Sequence, residues 1–214
     1  MYISIAIILS ILYGIAIGTN DAANSFGDWI GAKVGPIRLG LILCGIFAFF
    51  GAFLEGGKVV KTIGGGIVPK VYITPEIAMI GIVAAILWVF IASYLGFPIS
   101  TTHSAVGGVF GIGLSLVLFN KMKFNEINLN VIKNIVICWM ATPTGAALIG
   151  FIIGYIVLSI VKKAKVHRSA TTLSKILLTI SSSYVAYTWG ANDVANSVAL
   201  LAGSVLFLQR QLVL

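Results

Sequence analysis

Long apolar runs separated by short polar stretches dominate this sequence. A helix needs about 20 apolar residues to span a bilayer, and most of the runs approach or exceed that length. The run at residues 105–119 is too short alone and must be joined to the polar stretch PISTTHS before it. The pattern predicts six helical segments, at about residues 2–17, 39–54, 76–95, 98–119, 131–161 and 173–208. EGGKVVKTIGGGIVPK, between the second and third, is predicted as a loop or short broken helix.

Composition places these segments in a membrane. Hydrophobic residues make up 59% of the 214 residues and charged residues 9%, against roughly 25% charged in soluble domains. Strand-sized alternating segments are missing, so helices rather than a barrel must satisfy the backbone. We predict an all-α, polytopic integral membrane protein. The formal net charge of +8 comes from basic residues between the apolar runs, which indicates lipid headgroups rather than nucleic acid as their partner.

Two similar polar motifs interrupt the apolar runs. GTNDAANS begins at Gly18 and GANDVANS at Gly190, and six of the eight positions are identical. Asp21 and Asp193, two of only three aspartates in the chain, occupy the same place in the two copies. An ionisable residue at membrane depth costs at least ~2.5 kcal/mol on insertion scales and is usually functional.

In a helix, each motif would gather its polar side chains on one face. The residues concerned are Asn20, Asp21, Asn24 and Ser25 in the first copy, and Asn192, Asp193, Asn196 and Ser197 in the second. Their carboxylate, amide and hydroxyl oxygens suit a hard cation. Gly18 and Gly190 would make helix breaks easy, freeing carbonyls as further ligands. The alternative is that these small and polar residues only hold helices together.

A second polar stretch, PISTTH, starts at Pro98. Pro98 favours a helix start, and Ser100 is a good N-cap. Free backbone N–H groups would then lie beside the hydroxyls of Ser100, Thr101 and Thr102, an arrangement that binds anions. His103 could donate a hydrogen bond or carry a proton, and a structural histidine bonded to a carbonyl is the alternative. An ordinary capped helix start is the alternative for the whole stretch.

The densest basic cluster sets the expected orientation. Lys162, Lys163, Lys165 and Arg168 lie between the fifth and sixth segments and are expected on the cytoplasmic side. If residues 98–119 cross once, the N-terminus lies outside and the two motifs run in opposite directions, as in an inverted-topology repeat. If that segment dips in and returns, the two motifs are parallel instead.

The two motifs and PISTTH, with GAFLEGGKVVKTI at residues 51–63 and CWMATPTGAAL at residues 138–148, resemble the inorganic phosphate transporter (PiT) family. The similarity extends to about Gly203. The resemblance implies an inverted-repeat fold with a re-entrant hairpin, in a multi-pass protein of the cell membrane. It also implies uptake of inorganic phosphate with Na⁺ or H⁺ as the coupling ion and no further cofactor. No catalytic motif is visible, so we do not expect an enzyme.

The resemblance also implies the site residues. For the coupling cation they are Asn20, Asp21, Asn192 and Asp193, with Asp21 and Asp193 as the direct metal-ion ligands. For phosphate they are Asn24, Ser100, Thr101, Thr102, His103 and Asn196.

The sequence departs from the family pattern after the second motif. Family members carry a second hydroxyl-rich hairpin there, which FLQRQLVL does not resemble. We expect residues 1–170 to form a first repeat and residues 171–214 an incomplete second, working as a homo-oligomer or with a complementary half. The alternatives to phosphate transport are a non-transporting membrane subunit that needs such a half, and a carrier of another oxyanion such as sulfate.

Overall fold

The computed structural model describes residues 2–164, 169–199 and 202, and all secondary structure in this part is helical. Five of the described helices are long and apolar enough to cross a membrane, which agrees with a multi-pass membrane protein. Lys165, Arg168 and FLQRQLVL lie outside the described residues. The main helices are α1 Tyr2–Gly31, α2 Ile37–Ile63, α3 Pro75–Tyr94, α4 Thr101–Leu118, α5 Leu129–Ala164 and α6 Ser169–Trp189.

α2 is longer than the sequence pattern predicts. EGGKVVKTI, expected as a loop or short broken helix, continues α2 to Ile63. Packing explains the difference, because Gly56 is buried and a Cβ built on it would lie 3.2 Å from the Ala195 side chain. Glycine therefore lets α2 lie against the second motif, and this contact offsets the low helix propensity of glycine.

α1 and the segment that carries the second motif pass one another in opposite directions. Near the end of α1, Trp29 Nε1 donates to Thr179 Oγ1 over 2.8 Å. Earlier in α1, Ser10 Oγ donates to the carbonyl of Ser197 over 2.8 Å. Residues later in α1 therefore contact residues earlier in the other segment. The two motifs are antiparallel, so the parallel alternative is wrong, and α4 is one uninterrupted helix.

α2 crosses the second motif at a very short distance. A Cβ built on Gly51 would lie 1.9 Å from the carbonyl oxygen of Tyr187. A Cβ built on Gly190 would lie 2.1 Å from the carbonyl oxygen of Ala48. Small residues allow such close backbone contact between membrane helices. Glycine at both positions therefore permits α2 and the start of the second motif to pack this closely.

α3 and α4 form a hairpin whose turn lies beside the first motif. Asn20 Nδ2 donates to Ser93 Oγ near the end of α3 (3.4 Å) and to the carbonyl of Phe97 in the turn (3.3 Å). Asn20 comes well before Gly31, the last residue of α1. The turn therefore lies within the depth that α1 spans, which agrees with the expected re-entrant hairpin.

Two loops meet at the opposite end of this hairpin. Tyr72 donates its hydroxyl to Glu126 Oε1 over 2.8 Å. The backbone N–H of Asn128 donates to the carbonyl of Ile67 over 2.9 Å. These contacts join the chain before α3 to the chain after α4.

The core lies between α1, α3, α4 and the end of α2, and α5 contributes only its first turns. Ile135 and Trp139 of α5 pack against this core. Large apolar side chains farther along α5, such as Phe151 and Ile160, are exposed. An apolar surface of this kind suits contact with lipid.

Candidate functional site

Adjacent threonines at the start of α4 reach the aspartates of both motifs. Thr101 Oγ1 donates to Asp21 Oδ2 over 3.1 Å, and Thr102 Oγ1 donates to Asp193 Oδ1. Thr101 and Asp21 are buried, with exposed fractions of 1% and 6%. The structure thus brings together residues from three distant stretches of sequence that were each predicted to take part in the site.

The start of α4 has the N-terminal geometry that PISTTH predicts. Ser100 is the N-cap, and its Oγ accepts a hydrogen bond from the backbone N–H of His103 over 3.3 Å. The first turn of a helix leaves backbone N–H groups without intrahelical partners, at the positive end of the helix dipole. Such groups, beside the hydroxyls of Thr101 and Thr102, are suited to an anion.

The second motif surrounds Thr102 with amides. Asn192 Nδ2 and Asn196 Nδ2 approach Thr102 Oγ1 to 3.3 and 3.4 Å and donate hydrogen bonds to it. Asn196 is 1% exposed, and its Oδ1 is buried without a partner among the described residues. Leaving such an atom unsatisfied costs about 1–3 kcal/mol, so Asn196 Oδ1 is a candidate cation ligand. The phosphate role expected of Asn196 and the cation role expected of Asn192 stay predictions.

The backbones of the two motifs differ. Gly190–Val194 forms a π-helical turn, whereas Gly18 lies inside the unbroken α1. The expected helix break at Gly18 is therefore wrong, and the irregularity occurs only at Gly190. Packing differs in the same way: a Cβ on Gly18 would meet nothing within 4 Å, whereas Gly190 is pressed against Ala48. π-helical turns inside helices are frequent at functional sites.

Asn20 and Asn24 lie beside the hairpin turn. Asn20 donates to Ser93 and Phe97, and Asn24 Nδ2 donates to Asn20 Oδ1 over 3.4 Å. The contact between Asn20 and Asn24 confirms that residues four apart share a face of α1. The cation role expected of Asn20 and the phosphate role expected of Asn24 stay predictions.

The hydroxyls of both motif serines donate to main-chain carbonyls of their own helical segments. Ser25 Oγ donates to the carbonyl of Asp21 over 3.0 Å, and Ser197 Oγ donates to the carbonyl of Val194 over 2.6 Å. Ser25 Oγ also accepts from Trp189 Nε1 over 3.3 Å. Because a hydroxyl that donates to a nearby helix carbonyl keeps acceptor lone pairs, the place of both serines in the oxygen cluster stays a prediction.

His103 is held by stacking. Its ring lies on that of Trp139, with centroids 3.6 Å apart and an interplanar angle of 18°. Among the described residues, the imidazole has a ring contact with Trp139 and no hydrogen bond to a carbonyl. The phosphate role expected of His103 stays a prediction. His103 also borders a groove of about 880 Å³ between α3 and α4, with walls such as Ile80 and Ala84 that are mainly apolar.

The site is rich in oxygen atoms, and in the part of the chain that the structure describes its hydrogen bonds involve no basic side chain. Within the described residues, no three His, Cys, Asp or Glu side chains cluster as a metal site. Hydroxyl, amide and main-chain carbonyl oxygens are the kinds of ligand that could join the two carboxylates around a hard cation. Two carboxylates close together in a low-dielectric site repel each other. A hard monovalent cation would relieve that repulsion, beside a helix N-terminus suited to an anion.

Two aromatic residues of the site were not predicted from the sequence. Tyr13 donates its hydroxyl to the carbonyl of Thr101 over 3.2 Å, and Trp139 stacks on His103. For Tyr13 a signal exists, because it precedes Asp21 by two helical turns and shares its face of α1.

The phosphate transporter family model matches residues 17–213. The chain belongs to this family. The sulfate permease CysP of Bacillus subtilis is 37% identical over 208 residues, which cover 94% of this chain and 55% of that protein. A sodium-dependent phosphate transporter of Plasmodium falciparum is 39% identical over 132 residues, which cover 59% of this chain and 19% of that protein.

A solved structure, described as the sodium-dependent phosphate transporter, matches with a TM-score of 0.77 and 25% identity. The match covers 97% of this chain and 68% of that chain. The chain spans about half the length of the Bacillus relative, or less in the case of the Plasmodium protein. The family and the all-α membrane fold are therefore established, and the family consists of transporters rather than enzymes.

Proposed function

We propose that this chain carries inorganic phosphate across the membrane together with a cation, with Na⁺ as the favoured ion. The observation that carries the proposal is the pairing of Thr101 with Asp21 and of Thr102 with Asp193 at the start of α4. Cation ligands and an anion-binding helix N-terminus thus lie in one place. The names of the Plasmodium relative and of the structural match favour Na⁺ over H⁺.

The available oxygen atoms fit a cation at this place. Asn196 Oδ1 is buried and has no partner among the described residues. Asp193, three residues earlier, points a carboxylate oxygen at Thr102, to which Asn196 also donates. A cation bound between Asp193 and Asn196 would satisfy the orphaned oxygen and neutralise one of the two carboxylates.

Charge arithmetic explains why a transporter needs such cations. Moving a phosphate dianion into a cell against 100 mV, negative inside, costs about 4.6 kcal/mol, at about 2.3 kcal/mol per charge. Two monovalent cations cancel that charge, and a third lets the membrane potential assist uptake. One acidic residue in each motif provides two places where cations can bind.

We also propose that residues 1–170 and 171–214 belong to two repeats of opposite orientation. The antiparallel course of α1 and of the second motif supports this division. One aspartate from each repeat then contacts the same helix N-terminus. A cation bound at either aspartate would therefore affect the position of α4.

Labelled-phosphate uptake into proteoliposomes tests the proposal. Imposed gradients of Na⁺, K⁺ and H⁺ are compared, and we expect the Na⁺ gradient to drive uptake. D21N and D193N should abolish cation-dependent uptake. D28N is the matched control, since Asp28 is the third aspartate of the chain and is exposed on α1. Uptake that survives in both D21N and D193N, or absence of uptake under every gradient, would overturn the proposal.

Sulfate transport is the second candidate, favoured by the sulfate permease relative. Hydrogen phosphate has a P–OH group that can donate to a carboxylate such as Asp21 or Asp193, whereas sulfate has none at neutral pH. A site that accepts such a hydrogen bond should discriminate against an anion that lacks the donor. Competition between labelled phosphate and unlabelled sulfate separates the candidates: preferential inhibition by sulfate would favour the second.

A further inference from the structure

Tyr13 is a buried residue with a polar hydroxyl, and it has no part in the proposed binding of cation or phosphate. Its side chain is 1% exposed, and its hydroxyl donates to the carbonyl of Thr101 over 3.2 Å. Tyr13 lies in α1 two turns before Asp21, and a spacing of eight residues places both on one face. The residue that accepts from the Tyr13 hydroxyl, Thr101, donates its own hydroxyl to Asp21, and the next residue, Thr102, donates to Asp193.

α1 therefore holds Thr101 at two points. Tyr13 binds the main-chain carbonyl of Thr101, and Asp21 binds its side-chain hydroxyl. Together these contacts limit the rotation of the first turn of α4. Successive residues of a helix are about 100° apart, so this rotation decides whether Thr102 can reach Asp193 while Thr101 reaches Asp21.

We propose that the Tyr13 hydroxyl is the positioning group that pairs each threonine with its own aspartate and thereby sets the cation affinity of the site. Its consequence for transport rests on the proposed function. The positioning itself does not, because it depends only on contacts within the protein. A residue with a purely packing role would need only its ring, and the ring of Tyr13 does pack in the core.

Y13F separates the hydroxyl from the ring, because phenylalanine retains the ring that packs in the core. Y72F is the matched control: Tyr72 also donates one hydroxyl hydrogen bond, to Glu126 over 2.8 Å, but far from the aspartates in the loop before α3. Both variants of the full chain are purified, and size-exclusion profiles and circular dichroism confirm that they are folded.

Two measurements are made on wild type, Y13F and Y72F. The first is the Na⁺ concentration for half-maximal thermal stabilisation and half-maximal phosphate uptake, with the maximal uptake rate recorded separately. The second is amide hydrogen exchange of residues 98–104. For Y13F we expect the Na⁺ half-saturation to rise about fivefold, the factor for about 1 kcal/mol, with faster exchange and a nearly unchanged maximal rate. Y72F should behave as wild type in both measurements.

The outcomes separate this inference from the proposed function. If wild type responds to Na⁺ and Y13F matches it in half-saturation and exchange, the inference is wrong and the proposed function stands. If wild type does not respond to Na⁺ but exchange rises only in Y13F, positioning stands and Na⁺ coupling fails. If Y72F shifts as much as Y13F, the effect is unspecific and the inference is overturned.

Discussion

Thr101 and Asp21 are joined by a 3.1 Å side-chain hydrogen bond across 80 residues of sequence. Both residues are buried. A buried carboxylate that loses a donor keeps the cost of its burial without the compensating bond. This contact therefore couples the charge state of the first motif to the start of α4.

Removing the Thr101 hydroxyl should weaken cation binding. T101V keeps the shape of the side chain but leaves Asp21 without this donor, and a hydrogen bond to a charged group contributes about 1.5–3 kcal/mol. We expect the Na⁺ concentration for half-maximal phosphate uptake to rise about tenfold or more. Na⁺ titration in proteoliposomes measures it. T101S retains the hydroxyl and should stay close to wild type. Equal behaviour of the two variants would contradict a role for the hydrogen bond.

Asn196 and Asn192 offer a matched pair for the cation site. Both donate to Thr102, but only Asn196 has a buried oxygen without a partner in the described residues. N196L should remove most of the thermal stabilisation by Na⁺, because it deletes a candidate ligand atom. N192L also loses a donor to Thr102 but should retain most of the thermal stabilisation by Na⁺. The measurement is the change in Tm with Na⁺ concentration, and a larger loss in N192L would argue against Asn196 as a ligand.

The close crossing of α2 and the second motif predicts a steep cost for added volume. G51A would place a Cβ 1.9 Å from the Tyr187 carbonyl, and G190A would place one 2.1 Å from the Ala48 carbonyl. Since the obstacles are backbone atoms, the helices must separate, and we expect a loss of about 1–3 kcal/mol in stability for each variant. Thermal unfolding in detergent measures this loss.

The control for both glycine variants is G45A. Gly45 lies on the same helix α2, but a Cβ there would meet nothing within 4 Å. Its substitution should be neutral or slightly stabilising, because alanine has the higher helix propensity. A Tm for G51A or G190A as high as that of G45A would show that the crossing tolerates separation.

The polar residues of this chain made most of the site predictable. Asp21, Asp193 and the hydroxyls after Pro98 stand out because a membrane helix rarely carries such groups without a function. The existence of the helices was also predictable, since apolar length alone indicates them. The ends of α1 and α2 were not: α1 continues through the first motif to Gly31, and α2 continues to Ile63, where the contact of Gly56 with Ala195 overrides the local preference of glycine.

What the sequence could not provide was the assignment of partners. The residues of PISTTH do not themselves indicate that Thr101 donates to Asp21 and Thr102 to Asp193. That pairing depends on how α1, α4 and the second motif pack. Nor does the near-identity of the motifs reveal that only Gly190 begins a π-helical turn. Packing against Ala48 makes that difference, and it becomes visible only in three dimensions.

The contact between Tyr72 and Glu126 lies outside the membrane-spanning helices and should depend on pH. The Lys123 N–H and the Tyr72 hydroxyl donate to the Glu126 carboxylate over 2.7 and 2.8 Å and lower the pKa of Glu126 from its ordinary 4.5. The same contact raises the pKa of Tyr72 from 10.0. The stabilisation that Glu126 contributes is therefore complete above its ordinary pKa and is lost as the pH falls through its lowered pKa. The stabilisation that Tyr72 contributes is lost only as the pH rises through its raised pKa.

Hydrogen exchange of residues 67–72 and 124–128, corrected for intrinsic rates, measures this dependence between about pH 6 and about pH 3. In wild type, protection should decrease toward the acid end, by a small amount because both side chains are open to solvent screening. E126Q, which has no titrating carboxyl, should lack the acid step. E55Q is the control, since Glu55 accepts from Tyr187 on another part of the molecule. An acid step that persists in E126Q and disappears in E55Q would assign the pH dependence to the α2–α6 contact instead.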